Sequence, residues 1–231
     1  MDGLIPDTSP AENPADALVA EAIAAERERA ESARLAPAAR ETLACVAAAI
    51  AIVALAYASW ASGAYIPFLW GVDLGIHEFG HLVTYWAPWQ VCAAAGSVSQ
   101  VAVPIAAAVY ALVARRNRPG AGFFAAWAGC SARNVAVYIA DAPYQRLPLF
   151  GGDGALHDWA QLLQGRPMLY AGTIATGVEV LGWLLIATGL VLALSPLAQR
   201  AVAGARAQAR EREFEARRAA LPVREPHGPL G

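Results

Sequence analysis

Val72-Asp73-Leu74-Gly75-Ile76-His77-Glu78-Phe79-Gly80-His81-Leu82-Val83 puts two histidines and two carboxylates inside an apolar stretch that runs from residue 64 to 86. A stretch of that length can span the roughly 30 Å of bilayer hydrocarbon. Ionisable groups are costly there and mark function by default. Four more stretches, residues 43–61, 91–114, 121–142 and 170–194, are similarly long and apolar. The 231-residue chain is 57% hydrophobic and only 16% charged, with a mean hydropathy of +0.39. Soluble domains run nearer about 45–50% and about 25%. The expected fold is therefore all-α, a polytopic membrane helix bundle with about five hydrophobic segments. That domain takes residues 41–195, between an N-terminal tail at 1–40 and a charged C-terminal tail at 196–231.

The tails carry most of the charge, so the net charge of -2 says little. Residues 1–12 are rich in Pro and Asp with little to bury, which predicts disorder. Asn13 as a cap and Pro14 at the first helical position predict a helix that stops before Pro37. Residues 201–220 read as a second charged helix. Residues 1–30 hold no apolar run of the signal-peptide type, so the first apolar segment is expected to be its own insertion signal. The chain has no lysine, and its arginines are not interleaved with aromatics on one domain, which argues against nucleic acid as a partner. The expected partners are the lipid bilayer and a membrane-protein or peptide substrate. Ala and Arg richness without Lys points to a GC-rich bacterial genome and so to the inner membrane, multi-pass. The oligomeric state is not legible. Cys45, Cys92 and Cys130 are far apart in apolar sequence and read as small buried hydrophobes.

Arginines set the expected orientation. Arg115, Arg116 and Arg118 follow the third segment, and Arg200, Arg206, Arg210 and Arg212 follow the fifth. An even number of crossings separates the two clusters, so both belong on the cytoplasmic side. Five full crossings put the N-terminal tail outside; one re-entrant segment returns it to the cytoplasm. No internal repeat is visible, which argues against an inverted-repeat transporter.

His77-Glu78-Phe79-Gly80-His81 is an HExxH pattern. Positions i and i+4 share a helix face, so both imidazoles can reach one zinc ion, with Glu78 free to act on water as general base. Asp73 sits one turn earlier, where a carboxylate can accept the second N–H of a ligating imidazole. Gly75 and Gly80 leave room for a neighbouring helix or an extended substrate. A catalytic zinc ion needs a third protein ligand and an open position. His157 ranks first for that place, Asp158, Asp153 and Asp141 follow on equal footing, and Glu179 comes last. Asn134, Tyr138 and Asp141 form a polar stripe on the fourth segment, suited to orienting ligands or binding substrate backbone. On the third segment Ser97, Gln100 and Pro104 share a face, and Arg133 is expected to pair with Asp141, Glu179 or a lipid phosphate.

The motif and its apolar flanks, residues 71–84, resemble the site-2-protease-like intramembrane metallopeptidases. The resemblance implies that His77 and His81 bind zinc in a transmembrane helix, that Glu78 activates water, and that the chain is a hydrolase. That family takes its third ligand from an aspartate in a later Asn-Pro…Leu-Pro-Leu-Asp-Gly motif. Here Leu147-Pro148-Leu149 is followed by Asp153-Gly154, with three residues intervening and no preceding Asn-Pro. A divalent-metal transporter and an inactive zinc-holding membrane scaffold are the alternatives.

Overall fold

The structure is a computed structural model that describes residues 14–150, 152 and 155–219. Every regular element among these residues is a helix: α1 (Pro14–Ala61), α2 (Pro67–Thr84), α3 (Trp89–Val113), α4 (Arg118–Asp141), α5 (Asp158–Leu162) and α6 (Met168–Ala219). The chain divides into two units, Met1–Leu43 and Ala44–Gly231. Residues 1–12, expected to be disordered, lie outside the described residues.

Two helix ends differ from expectation. α1 does not stop at Pro37 but runs through it. Pro37 is exposed, so water can satisfy the Ala33 carbonyl that the proline leaves without a donor. α6 likewise continues through the buried Pro196 into the charged tail. There the carbonyl of Leu192, four residues back, accepts a hydrogen bond from the Ser195 hydroxyl at 2.8 Å.

α4 is the centre of the second unit, packed against both α3 and α6. Its buried positions are mostly Ala, Gly, Ser and Cys, and small side chains let helix backbones approach closely. Gly122 faces Gly189, and Gly129 faces Gly182, so α4 and α6 run antiparallel. A Cβ at any of these four glycines would collide with backbone or side-chain atoms of the opposite helix. The seven-residue spacing is two turns, which keeps both pairs on one seam. Arg118 reaches Ser195 at 3.5 Å and fixes one end of that seam. α1 fills the groove beside it, with Ile52 in a cluster with Ala126, Cys130, Ile186 and Ala193. Arg133 is buried, donating to Ser59 of α1 at 2.6 Å and to Glu179 of α6 at 3.0 Å, with its guanidinium 4.2 Å from the Trp183 ring centroid.

Side-chain pairs set the level of each helix along α4. α1 runs parallel to α4, since Leu55 meets Cys130 and Ser59 meets Arg133. α2 runs the same way, since Asp73 meets Trp127 and Ser131, and His77 lies beside Tyr138. Two consecutive helices that run in the same direction need a return between them. Residues 62–66 make it, with the Ala64 carbonyl at the level of Asn134 and Ile66 back against the Ile52 cluster. α2 therefore starts part-way along the bundle, whereas α1, α3, α4 and α6 run its length. All five expected segments are helical, but among the described residues only three helices are long and apolar enough to cross a membrane: Ala36–Ala61, Trp89–Val113 and Met168–Ala219. α2 carries the polar motif, and α4 is surrounded by protein and has no need of an apolar exterior. Large apolar side chains such as Ile50, Val53, Val109, Leu184 and Val191 face outward, as a lipid-facing surface requires.

Gly129→Val should push α4 and α6 apart. Overpacking of this kind costs about 1–3 kcal/mol or more, and each kcal/mol lowers the midpoint by about 2–4 °C in a chain of this size. Gly177→Ala, where a Cβ meets nothing within 4 Å, should leave the midpoint unchanged or raise it. Thermal unfolding in detergent, followed by tryptophan fluorescence, checks both.

Candidate metal centre

α2 presents His77 and His81 on one face, their ring centroids 4.8 Å apart. Asp158 arrives at the start of α5. Its Oδ2 lies 3.1 Å from His77 Nε2 and 3.3 Å from His81 Nε2, and the three groups form a set that can hold one metal ion. Gly96 of α3 makes room for them, because a Cβ there would strike both imidazoles. Gly80 lets α2 and α3 approach so closely, since its Cβ would meet Ser99 and the Ala95 carbonyl; Gly75 has open space around it.

The tautomer of each imidazole follows from its other nitrogen. The Ala64 carbonyl can only accept, so Asn134 Nδ2 donates to it at 3.3 Å. Asn134 Oδ1 then accepts from Gln100 Nε2 at 3.1 Å, which turns Gln100 Oε1 toward His77 Nδ1 at 3.3 Å. Nδ1 of His77 thus carries the proton. His81 Nδ1 faces the Cys92 carbonyl at 2.8 Å and carries a proton for the same reason. Nε2 of each imidazole is then the atom turned toward Asp158 Oδ2, which also accepts from the Tyr138 hydroxyl at 3.3 Å. Two imidazoles held through Nδ1–H, with one carboxylate, make a donor set that suits zinc.

Asp158 is held as firmly as the histidines. Its backbone N–H donates to the Tyr138 hydroxyl at 3.1 Å, and that hydroxyl faces Asp158 Oδ2 at 3.3 Å. The Trp159 indole donates to Ser97 of α3 at 3.0 Å, and its ring packs against Val135, Ile139 and Ala175. Burial pushes the Asp158 carboxyl upward, but hydrogen bonds to His77 and His81 outweigh it and hold it at about 2. The group is a carboxylate at any pH where the protein would work.

His157, ranked first from sequence, is not in this set. Its Nδ1 accepts the Ala160 N–H at 3.3 Å, capping α5, its ring stacks on Tyr138 at 4.1 Å, and its Nε2 lies 3.6 Å from Asp141. Burial holds it below the usual imidazole range, so it is neutral. Asp158, one residue on, takes its place. Asp141 is not in the set either: its carboxylate accepts the N–H groups of Arg146 and Leu147 at 3.0 Å each and shapes the turn after α4. Glu179 is committed to Arg133. Asp153 lies outside the described residues. Asp73 does not orient an imidazole, the role given to it from sequence. It is buried and accepts from Trp127 Nε1 and Ser131 Oγ, at 2.8 Å each, pinning α2 to α4.

Beside the three groups lies a cavity of about 470 Å³. Glu78, half-buried, lines it, and no protein group among the described residues hydrogen-bonds its carboxylate. The cavity walls include Trp70, Leu74, Val137 and residues 147–150 of the α4–α5 connection. The Leu147-Pro148-Leu149 run that carried part of the family resemblance thus borders the site, without supplying a ligand. Set against family models, curated proteins and solved structures, the chain matches none. Gly96, Cys92 and Gln100 were not singled out as site residues from sequence. Gln100 and Gly96 did leave a signal, because they lie four residues apart, on the α3 face that also carries Pro104.

His77→Ala, His81→Ala and Asp158→Ala should each abolish stoichiometric metal in purified protein. His157→Asn, which keeps a capping side chain, should retain it. Gln100→Ala should weaken metal affinity by about 10–100-fold, the usual effect of losing a ligand's orienting partner. Elemental analysis and competitive chelator titration read out all five.

Proposed function

We propose that this chain is an integral-membrane metal-dependent endopeptidase, with zinc as its metal, multi-pass in a bacterial inner membrane. One observation carries the reading: a free Glu78 carboxylate shares a cavity with two oriented imidazoles and Asp158. Zinc would be held by His77, His81 and Asp158. When bound, such an ion supplies Lewis acidity to a carbonyl and to water.

The chain's own residues supply the rest. Glu78 follows His77 directly, so its carboxylate stands beside the metal position without being needed as a ligand. It takes the proton of a cavity water and delivers it to the leaving amine. Gln100 and Asn134 hold His77 in the tautomer that leaves Nε2 available, and Tyr138 keeps Asp158 in place. Leu74, Val137 and Leu149 give the cavity an apolar wall, suited to a side chain of a membrane or membrane-proximal substrate. The similarity of residues 71–84 to site-2-protease-like enzymes agrees with this reading.

Glu78→Gln should keep full metal content and the folded state while lowering peptide cleavage by about 10²–10⁴-fold, the usual contribution of a general base. The assay uses purified protein in detergent, loaded with zinc, and a library of membrane-spanning peptides. Metal lost together with Glu78, or zinc flux into proteoliposomes with no cleavage, would replace the enzyme with a transporter. Activity restored only by iron would replace zinc, since two histidines and a carboxylate also serve ferrous ions.

A further inference from the structure

The two ends of the bundle are chemically unlike. At one end α3 passes into α4 through Arg115, Arg116 and Arg118. The Arg118–Ser195 contact puts α6 at the same end just before it emerges, and Arg200, Arg206, Arg210 and Arg212 follow. The segment of α1 that begins at Ala44 also starts there, since Ala48 packs near Ala193. At the other end lie residues 62–66, the α2–α3 turn at 85–88 and, from the α4–α6 connection, residues 142–150 and 155–167. Those three segments carry only Arg146 and Arg166 as permanent cations. Arginines within about 15–20 residues of a membrane helix end mark the cytoplasmic side.

The metal centre belongs to the arginine-poor end. Asn134 lies seven residues, or about 10 Å, from the end of α4, and sixteen residues, or about 24 Å, from its start. The rim of the cavity comes from residues 63, 65, 147–150, 155 and 156, all in connections at that same end. Leu156 and Phe150, each 72% exposed, stand at this rim.

The geometry points to a site that opens to the extracytoplasmic face, and to a substrate that is the extracytoplasmic juxtamembrane stretch of a membrane-anchored protein. The stretch enters unfolded, because the helices leave only a cleft between two loops. An apolar residue beside the scissile bond fits the Leu74, Val137 and Leu149 wall. The substrate half of this inference rests on the peptidase reading; the sidedness does not.

Two experiments keep the parts separate. In a background with Cys45, Cys92 and Cys130 replaced, Leu156→Cys and Val202→Cys are labelled with a membrane-impermeant maleimide on intact spheroplasts. Leu156→Cys should label without permeabilisation and Val202→Cys only after it. Any other pattern overturns the sidedness, whatever the enzyme does. The second experiment co-expresses single-span test proteins carrying the same flexible, Leu-containing stretch just outside the membrane on one face or the other. Only the extracytoplasmic version should be cut, and not by Glu78→Gln. Cutting of the cytoplasmic version alone overturns the substrate assignment. No cutting of either, with the labelling as expected, overturns the peptidase reading and leaves the sidedness standing.

Discussion

The backbone contact between α4 and α6 is the constraint on which the rest depends. Gly122 against Gly189 and Gly129 against Gly182 leave no room for a Cβ at these positions. Once that seam is closed, the rotation of α4 about its axis is fixed. Its remaining faces then present Ser131 to α2, Arg133 to α1 and α6, Asn134 to α3 and Tyr138 to α5. Each of these polar groups is directed to its own partners on the neighbouring helices. In a medium where apolar burial gives helices no reason to prefer one another, such contacts supply the specificity that a soluble core takes from hydrophobic packing.

Most of the buried polar groups fall into two connected sets. One joins Arg133 to Glu179, Ser59 and the Trp183 ring, and a guanidinium so satisfied avoids the cost of a bare charge in an apolar interior. The other runs from Ala64 through Asn134 and Gln100 to His77, and stands next to Asp73 with its two donors. The first holds α1, α4 and α6 together, and the second gives the α2 histidines their chemistry. Stability and site construction are thus divided between residues on the same helix.

Much of this was legible in the sequence. The five apolar runs become helices because backbone groups without water must bond within the segment. The i, i+4 spacing of His77 and His81 is enough to put both on one face. The third member was not legible. His157 and Asp158 are adjacent in the chain, and only the capping of α5 by His157 decides which of the two faces α2. The direction of α2 was hidden as well. Residues 64–66 read as the start of the second apolar stretch, and nothing in their composition says that they fold back into the bundle. Pro37 misled because proline removes a donor but does not end a helix whose freed carbonyl has another partner.

Ala64 holds a left-handed backbone conformation, φ 71°, which an L-residue adopts at a cost of about 1–2 kcal/mol. Its carbonyl terminates the chain of amides that sets the His77 tautomer, and its neighbours Gly63 and Tyr65 border the cavity. The strained turn thus ties one wall of the cleft to the hydrogen-bond chain that ends on His77.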